Sequence, residues 1–133
     1  MVYHGDRRSN YGTGTFTDLG DEVLRAIRTF ERSGIGTKIV LCCTGISGMS
    51  LAFPLALSLG CDVAVLRKPN EESHGDAGKF VGVPLRGKTC VFVDDFVSGG
   101  LTRARVERAI KAERGKLAWQ YTAREDALVP VAS

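Results

Sequence analysis

Along residues 18–33, Leu19, Val23, Leu24, Ile27 and Phe30 recur at the spacing of one helical face and Gly34 follows as a stop, which predicts an amphipathic helix. The stretch before it, residues 1–15, is polar and contains glycine, and it is expected as an arm or loop. Residues 38–43 are a short apolar run rich in branched side chains, the mark of a buried strand. The run ends in Thr44-Gly45-Ile46-Ser47-Gly48 and passes into a second helical stretch closed by Gly60. A further strand is predicted over residues 62–67. The polar stretch 68–78 has almost no apolar residue to hold it down and predicts a mobile loop. Residues 80–83 suit a short strand and residues 89–93 a strong one. A glycine turn, a helix from Thr102 to about Arg114 and a last strand over residues 117–121 follow.

Buried strands that alternate with helices predict an α/β domain in three layers, with a mostly parallel twisted sheet covered on both faces. In such sheets ligands gather at the carboxyl ends of the strands, where the unusual polar residues of this chain fall. No internal repeat or low-complexity segment is visible, and residues 123–133 carry no readable pattern, which leaves an arm or an interface segment. A length of 133 residues, 44% of them hydrophobic, fits a single domain over residues 1–133 with its core at about residues 17–122.

The net charge of +3 is spread along the chain, which argues against a dedicated nucleic-acid surface. Cys42, Cys43, Cys61 and Cys90 lie in apolar stretches without Cys-x-x-Cys spacing and read as buried, reduced side chains. The apolar core of a signal peptide is missing from the first residues, and the longest apolar stretch, residues 49–59, is too short to span a bilayer. A cytoplasmic protein without a membrane partner is expected.

The strongest chemical signal is Cys90-Val91-Phe92-Val93-Asp94-Asp95-Phe96-Val97-Ser98-Gly99-Gly100-Leu101-Thr102, a hydrophobic strand that ends in two carboxylates and runs through small residues into a helix. Glycines let backbone N–H groups approach a phosphate, the helix N-terminus adds positive potential, and the hydroxyls of Ser98 and Thr102 donate further hydrogen bonds. Two carboxylates beside such a cradle suit ribose hydroxyls or a bound Mg²⁺, so a sugar phosphate satisfies both halves. The competing reading has Asp94-Asp95 merely end a strand and cap a turn. A second strand-to-helix turn, Thr44-Gly45-Ile46-Ser47-Gly48, offers glycines and hydroxyls to an anion, against the alternative of a plain helix cap made by Ser47. The flanking glycine and base of a nucleophile elbow are missing, so Ser47 is not read as a hydrolase serine. The third stretch is Arg67-Lys68-Pro69-Asn70-Glu71-Glu72-Ser73-His74-Gly75, whose competing reading is a solvated charged loop with His74 idle.

The order of these motifs over roughly residues 38–115 resembles the type I phosphoribosyltransferases, and the third stretch resembles the catalytic loop of the orotate enzymes. The resemblance implies their fold with a minimal hood, and a site that binds 5-phosphoribosyl-1-pyrophosphate (PRPP) and Mg²⁺. Asp94 and Asp95 would hold the ribose hydroxyls and, through them or through water, the metal. Ser98, Gly99, Gly100, Leu101 and Thr102 would hold the 5-phosphate, and Thr44, Gly45, Ile46 and Ser47 the pyrophosphate. Arg67 and Lys68 would supply positive charge, with Lys68, His74 and Asp95 as catalytic residues. The implied reaction transfers the phosphoribosyl group to a nitrogenous base with release of pyrophosphate, in a homodimer.

Gly99 stands where the family has Thr, Leu101 where it has Gly or Lys, and Glu72 where the orotate enzymes carry a lysine. These departures point to a second reading, a PRPP- or nucleotide-sensing protein of the same fold without catalysis. A third is a nucleotide-phosphate binding module that hydrolyses or sequesters its ligand. Tyr3, Tyr11, Phe16 and Trp119 are each able to stack on a base, but aromatic residues in so small a domain serve packing more often, and none is assigned to the acceptor.

Overall fold

The computed structural model describes residues 15–67, 79–95 and 100–132. Along them run α1 (Thr15–Ser33), β1 (Val40–Cys43), α2 (Gly45–Leu59), β2 (Asp62–Leu66), β3 (Phe80–Gly82), β4 (Thr89–Asp94), α3 (Leu101–Ala112), β5 (Lys116–Thr122) and β6 (Ala127–Pro130). The strands form a six-stranded sheet in the order β3-β2-β1-β4-β5-β6. Its four inner strands are parallel and its two edge strands antiparallel.

Burial on both faces explains the continuous apolar runs, because successive side chains of a strand point to opposite sides. Leu41 and Cys43 of β1 and Val91 and Val93 of β4 pack with Val23, Ala26 and Phe30 of α1 and Leu51 and Leu55 of α2. Val40, Cys42, Cys90 and Phe92 point the other way, onto Val106, Ala109 and Ile110 of α3. The result is three layers, with α1 and α2 on one face and α3 on the other. Phe92 is fully buried, and its truncation to alanine would cost about 3–5 kcal/mol.

Helix α1 starts at Thr15, ahead of the expected Asp18, and α2 ends as predicted at Gly60, which adopts a left-handed conformation (φ +75°). Edge strand β3 depends on Gly82, at φ +133°, where an added Cβ would sit 2.5 Å from the Val63 carbonyl oxygen. The N–H of Phe80 donates to Glu113 Oε2 at 3.1 Å, which ties this edge to the end of α3.

Residues past Ala123, unreadable in the sequence, make a turn and then β6, which pairs with β5 from Trp119↔Pro130 to Thr122↔Ala127. Asp126 holds the turn, at φ +50°. Its Oδ1 accepts hydrogen bonds from Tyr121 Oη and Thr29 Oγ1, each at 2.7 Å. Arg25 adds a bond from Nη2 to the Ala123 carbonyl oxygen, and its Nε lies 4.0 Å from Asp126 Oδ2. The tail is therefore part of the folded domain, clamped to α1. Among the described residues no helix is long and apolar enough to cross a membrane.

Candidate functional site

Strands β1 and β4 are hydrogen-bonded neighbours, with Cys42 opposite Phe92, so Thr44 and Asp94 emerge at the same end of the sheet. The helix after β1 packs on one face and the helix after β4 on the other. Adjacent parallel strands whose helices diverge in this way open a crevice between them, the usual binding place in an open α/β sheet. Gly48 makes the close fit on the α2 side. A Cβ there would lie 3.2 Å from the Cys43 Cβ and 3.5 Å from the Val93 carbonyl oxygen, so only glycine sets this turn of helix against both strand ends without a shift.

Asp94 is the last residue of β4, and its Oδ1 accepts a hydrogen bond from the Asp95 N–H at 2.9 Å. The backbone of the pair is held from the β5 side: the Ala123 N–H donates to the Asp94 carbonyl at 2.9 Å and the Arg124 N–H to that of Asp95 at 2.8 Å. Both acids are half-buried at the carboxyl edge. Gly100, at φ +78°, is the cap residue of α3 and gives it no side-chain hydrogen bond. Leu101 opens that helix with its side chain 82% exposed, and Thr102 follows, also exposed. Ser98 and Gly99 lie outside the described residues.

On the other turn, Thr44 is extended (φ −148°, ψ 145°) and occupies the cap position of α2 without bonding to it. Its hydroxyl donates instead to the Leu66 carbonyl at the end of β2, at 2.9 Å. Gly45, at φ +76°, Ile46 and Ser47 form the first turn of the helix, so Ser47 lies inside α2 and is not its cap residue. Arg67, exposed, follows β2 at the same sheet edge and is held by its N–H to the Lys79 carbonyl at 3.0 Å. Lys68 and His74, with the rest of the loop that includes Glu72, lie outside the described residues.

The structure adds Arg105, which no motif in the sequence singles out. Its Nη2 donates to Thr44 Oγ1 at 3.3 Å and so links the two turns across the crevice. The available signal was its spacing: Arg105 stands four residues before Ala109, on the edge of the helix's buried stripe, and near the end that meets the strand tips. Cys43, directly beneath Thr44, is no nucleophile at neutral pH. Burial, and then the negative charge of Asp94, push its thiol up to about 12.

Solved structures with the same arrangement of elements are phosphoribosyltransferases. The orotate phosphoribosyltransferase of Francisella tularensis matches at a TM-score of 0.65 and 18% identity over 80% of this chain and 51% of its own. This chain has the type I phosphoribosyltransferase fold. The adenine phosphoribosyltransferase of Thermoanaerobacter pseudethanolicus matches at 0.63 and 17% identity, covering 83% of this chain and 72% of that one. The Mycobacterium tuberculosis orotate enzyme, solved in complex with PRPP, matches at 0.63 and 16%, covering 87% and 63%.

Among curated proteins, the orotate phosphoribosyltransferase of Halorhodospira halophila is 38% identical over 47 residues, 35% of this chain and 22% of that protein. That of Xylella fastidiosa is 29% identical over 70 residues, 47% of this chain and 32% of that protein. The alignments thus span a third or less of these relatives' length. No family model matches the chain.

Proposed function

We propose that the crevice between β1 and β4 binds PRPP with Mg²⁺ and that the protein transfers the phosphoribosyl group to a nitrogenous base. The observation that carries this reading is the meeting of two glycine-bearing strand-to-helix turns at one switch point, with the acidic pair at the head of one of them. Helix N-termini favour phosphate groups, and ionised carboxylates accept hydrogen bonds from ribose hydroxyls. The complex of the Mycobacterium tuberculosis enzyme with PRPP, on the same fold, supports the ligand.

The residues present fit Mg²⁺. Among the described residues no group of three or more His, Cys, Asp and Glu side chains is able to hold a metal ion, whereas Mg²⁺ needs only one or two carboxylates, with substrate oxygens and waters completing its shell. Asp94 and Asp95 would be those carboxylates, acting through ribose or water. When bound, the ion neutralises pyrophosphate charge. In the transfer, the bond from C1 to the pyrophosphate oxygen breaks and its electron pair leaves with pyrophosphate. A base nitrogen forms the new bond to C1 with its lone pair and releases its proton. The residues of the two turns position both ends of PRPP and stabilise the leaving charge through backbone N–H groups, with Arg67 and Lys68 adding positive charge.

Replacing both acids, Asp94→Asn with Asp95→Asn, preserves shape and removes charge. Calorimetric titration with PRPP and Mg²⁺ is expected to show at least roughly a hundredfold weaker binding, since two charge-assisted hydrogen-bonding groups are lost. Unchanged affinity would overturn the assignment. Leu101, an exposed apolar side chain at the phosphate turn, favours a second reading, a PRPP sensor without catalysis. Pyrophosphate release upon adding orotate, uracil, adenine, guanine or hypoxanthine decides between the two and names the acceptor.

The active form in this reading is a homodimer. Helix α2 contains no charged residue, yet Ile46, Phe53 and Leu57 stand exposed on it. A second copy of the same helix matches a surface that offers no charge for a partner to complement. Leu57→Glu, remote from both turns, is expected to convert dimer to monomer in light scattering; a wild-type monomer at micromolar concentration would refute the dimer.

A further inference from the structure

We propose that Arg105 is a pyrophosphate-binding residue, which brings to the β1–α2 turn the positive charge that this turn lacks. The proposal rests on the PRPP reading and adds to it a residue outside the recognised motifs. From Val40 to Leu59 the chain carries no charged side chain, so the turn Thr44-Gly45-Ile46-Ser47-Gly48 has only backbone N–H groups and hydroxyls to offer an anion. A leaving pyrophosphate carries several negative charges, and fixed positive charge beside it stabilises their development.

Arg105 comes to this turn from the opposite layer of the fold. Its guanidinium crosses from α3 to the tip of β1 and donates to a neutral hydroxyl, Thr44 Oγ1, at 3.3 Å. That hydroxyl is oriented by its own bond to the Leu66 carbonyl, so it turns its lone pairs to the arginine.

Of the other cations on the helix, Arg108 is exposed to solvent and two stand near a carboxylate. Arg103 lies 3.6 Å from Glu107 Oε1, and Lys111 3.9 Å from Glu107 Oε2. Arg105 is half-buried and has no carboxylate within ion-pair distance among the described residues. A guanidinium has five N–H donors, and a single bond to Thr44 leaves most of the fork for an anion. A half-buried arginine with a neutral partner, at the base of a charge-free anion turn, is matched by a phosphate group.

The test titrates wild type, Arg105→Gln and Arg105→Lys with pyrophosphate and, separately, with ribose 5-phosphate, both with Mg²⁺, and records thermal unfolding of each. Arg105→Gln is expected to weaken pyrophosphate at least about tenfold, the loss of a charge-assisted contact. It should leave ribose 5-phosphate affinity and the unfolding midpoint unchanged. Arg105→Lys keeps the charge without the fork and should fall between. Wild-type pyrophosphate affinity in Arg105→Gln would overturn this assignment and leave the PRPP reading standing. Parallel weakening of both ligands with a lowered midpoint would also overturn it, in favour of a brace between the turns. A wild type that binds neither ligand would overturn the PRPP reading and this assignment together.

Discussion

Arg25 and Arg105 both reach from a helix to the end of a strand, and what meets each of them differs. Arg25 bonds the Ala123 carbonyl and stands beside the Asp126 carboxylate, which also accepts from Tyr121 and Thr29. Every group in that cluster has a counterpart within the chain, and the cluster joins α1 to the β5–β6 turn. Among the described residues Arg105 bonds only a hydroxyl, and it joins two turns that carry the polar groups suited to a sugar phosphate. One region completes its charge pairing by folding; the other leaves a positive charge to be matched by a ligand. Removing groups from the first should therefore move stability and spare binding, whereas Arg105 should do the opposite.

The largest effect expected on this contrast comes from Asp126→Ala. It strips the acceptor from the fully buried Tyr121 and from Thr29, and puts alanine at φ +50°, where a residue without a local side-chain hydrogen bond is strained. The loss should be about 3 kcal/mol in urea unfolding, most of it from the orphaned hydroxyls and the backbone. The Arg25 pair adds little, since its side chain is 46% exposed and such pairs are worth at most about 1 kcal/mol. PRPP affinity measured on the same variant should equal that of the wild type. A variant that binds PRPP more weakly while still folded would erase the division between the two regions.

How legible each region was follows from the range of its interactions. Strand β4 and the acidic pair could be read from sequence because burial on two faces forces a continuous apolar run, and a charged pair that ends such a run must lie at the edge of the sheet. The turn at Thr44 was legible for the same reason. Strand β6 was not: it has four residues, ends in Pro130, and is only partly buried, so neither alternation nor propensity marks it. The Asp126 cluster joins residues 97 positions apart at Thr29 and Asp126 and 98 apart at Arg25 and Ala123, and nothing local to Thr29 or Arg25 foretells that they meet it. Arg105 was hidden by its setting, since an arginine on a charged helix normally faces water, and only the packing of α3 against the strand tips turns it inward. Lys68, His74, Ser98 and Gly99, readable as motif members, fall outside the described residues.

The smallest effect sharpens the comparison through pH. Burial, and then the hydrogen bond to Asp126, raise the Tyr121 hydroxyl above its ordinary value of 10.0, because both disfavour a phenolate at that position. A group whose pKa is raised by folding stabilises the native state in full below its unfolded pKa, and that contribution is lost as pH climbs through the folded value. Tyr121→Phe removes the hydroxyl and its bond, at a cost of about 1 kcal/mol at neutral pH. It also removes the titration. Unfolding free energies of wild type and variant, measured from pH 7 upward, should therefore stay apart by that amount to about pH 10 and then converge, because only the wild type must hold a proton that its unfolded chain releases. A constant gap above pH 10 would mean that the phenol ionises as easily in the folded protein as in the unfolded chain, and that the Asp126 cluster is open to water. Among the described residues Arg105 has no such partner to lose, so Arg105→Gln should follow the wild-type curve at every pH; a departure would show that its bond to Thr44 belongs to the fold after all.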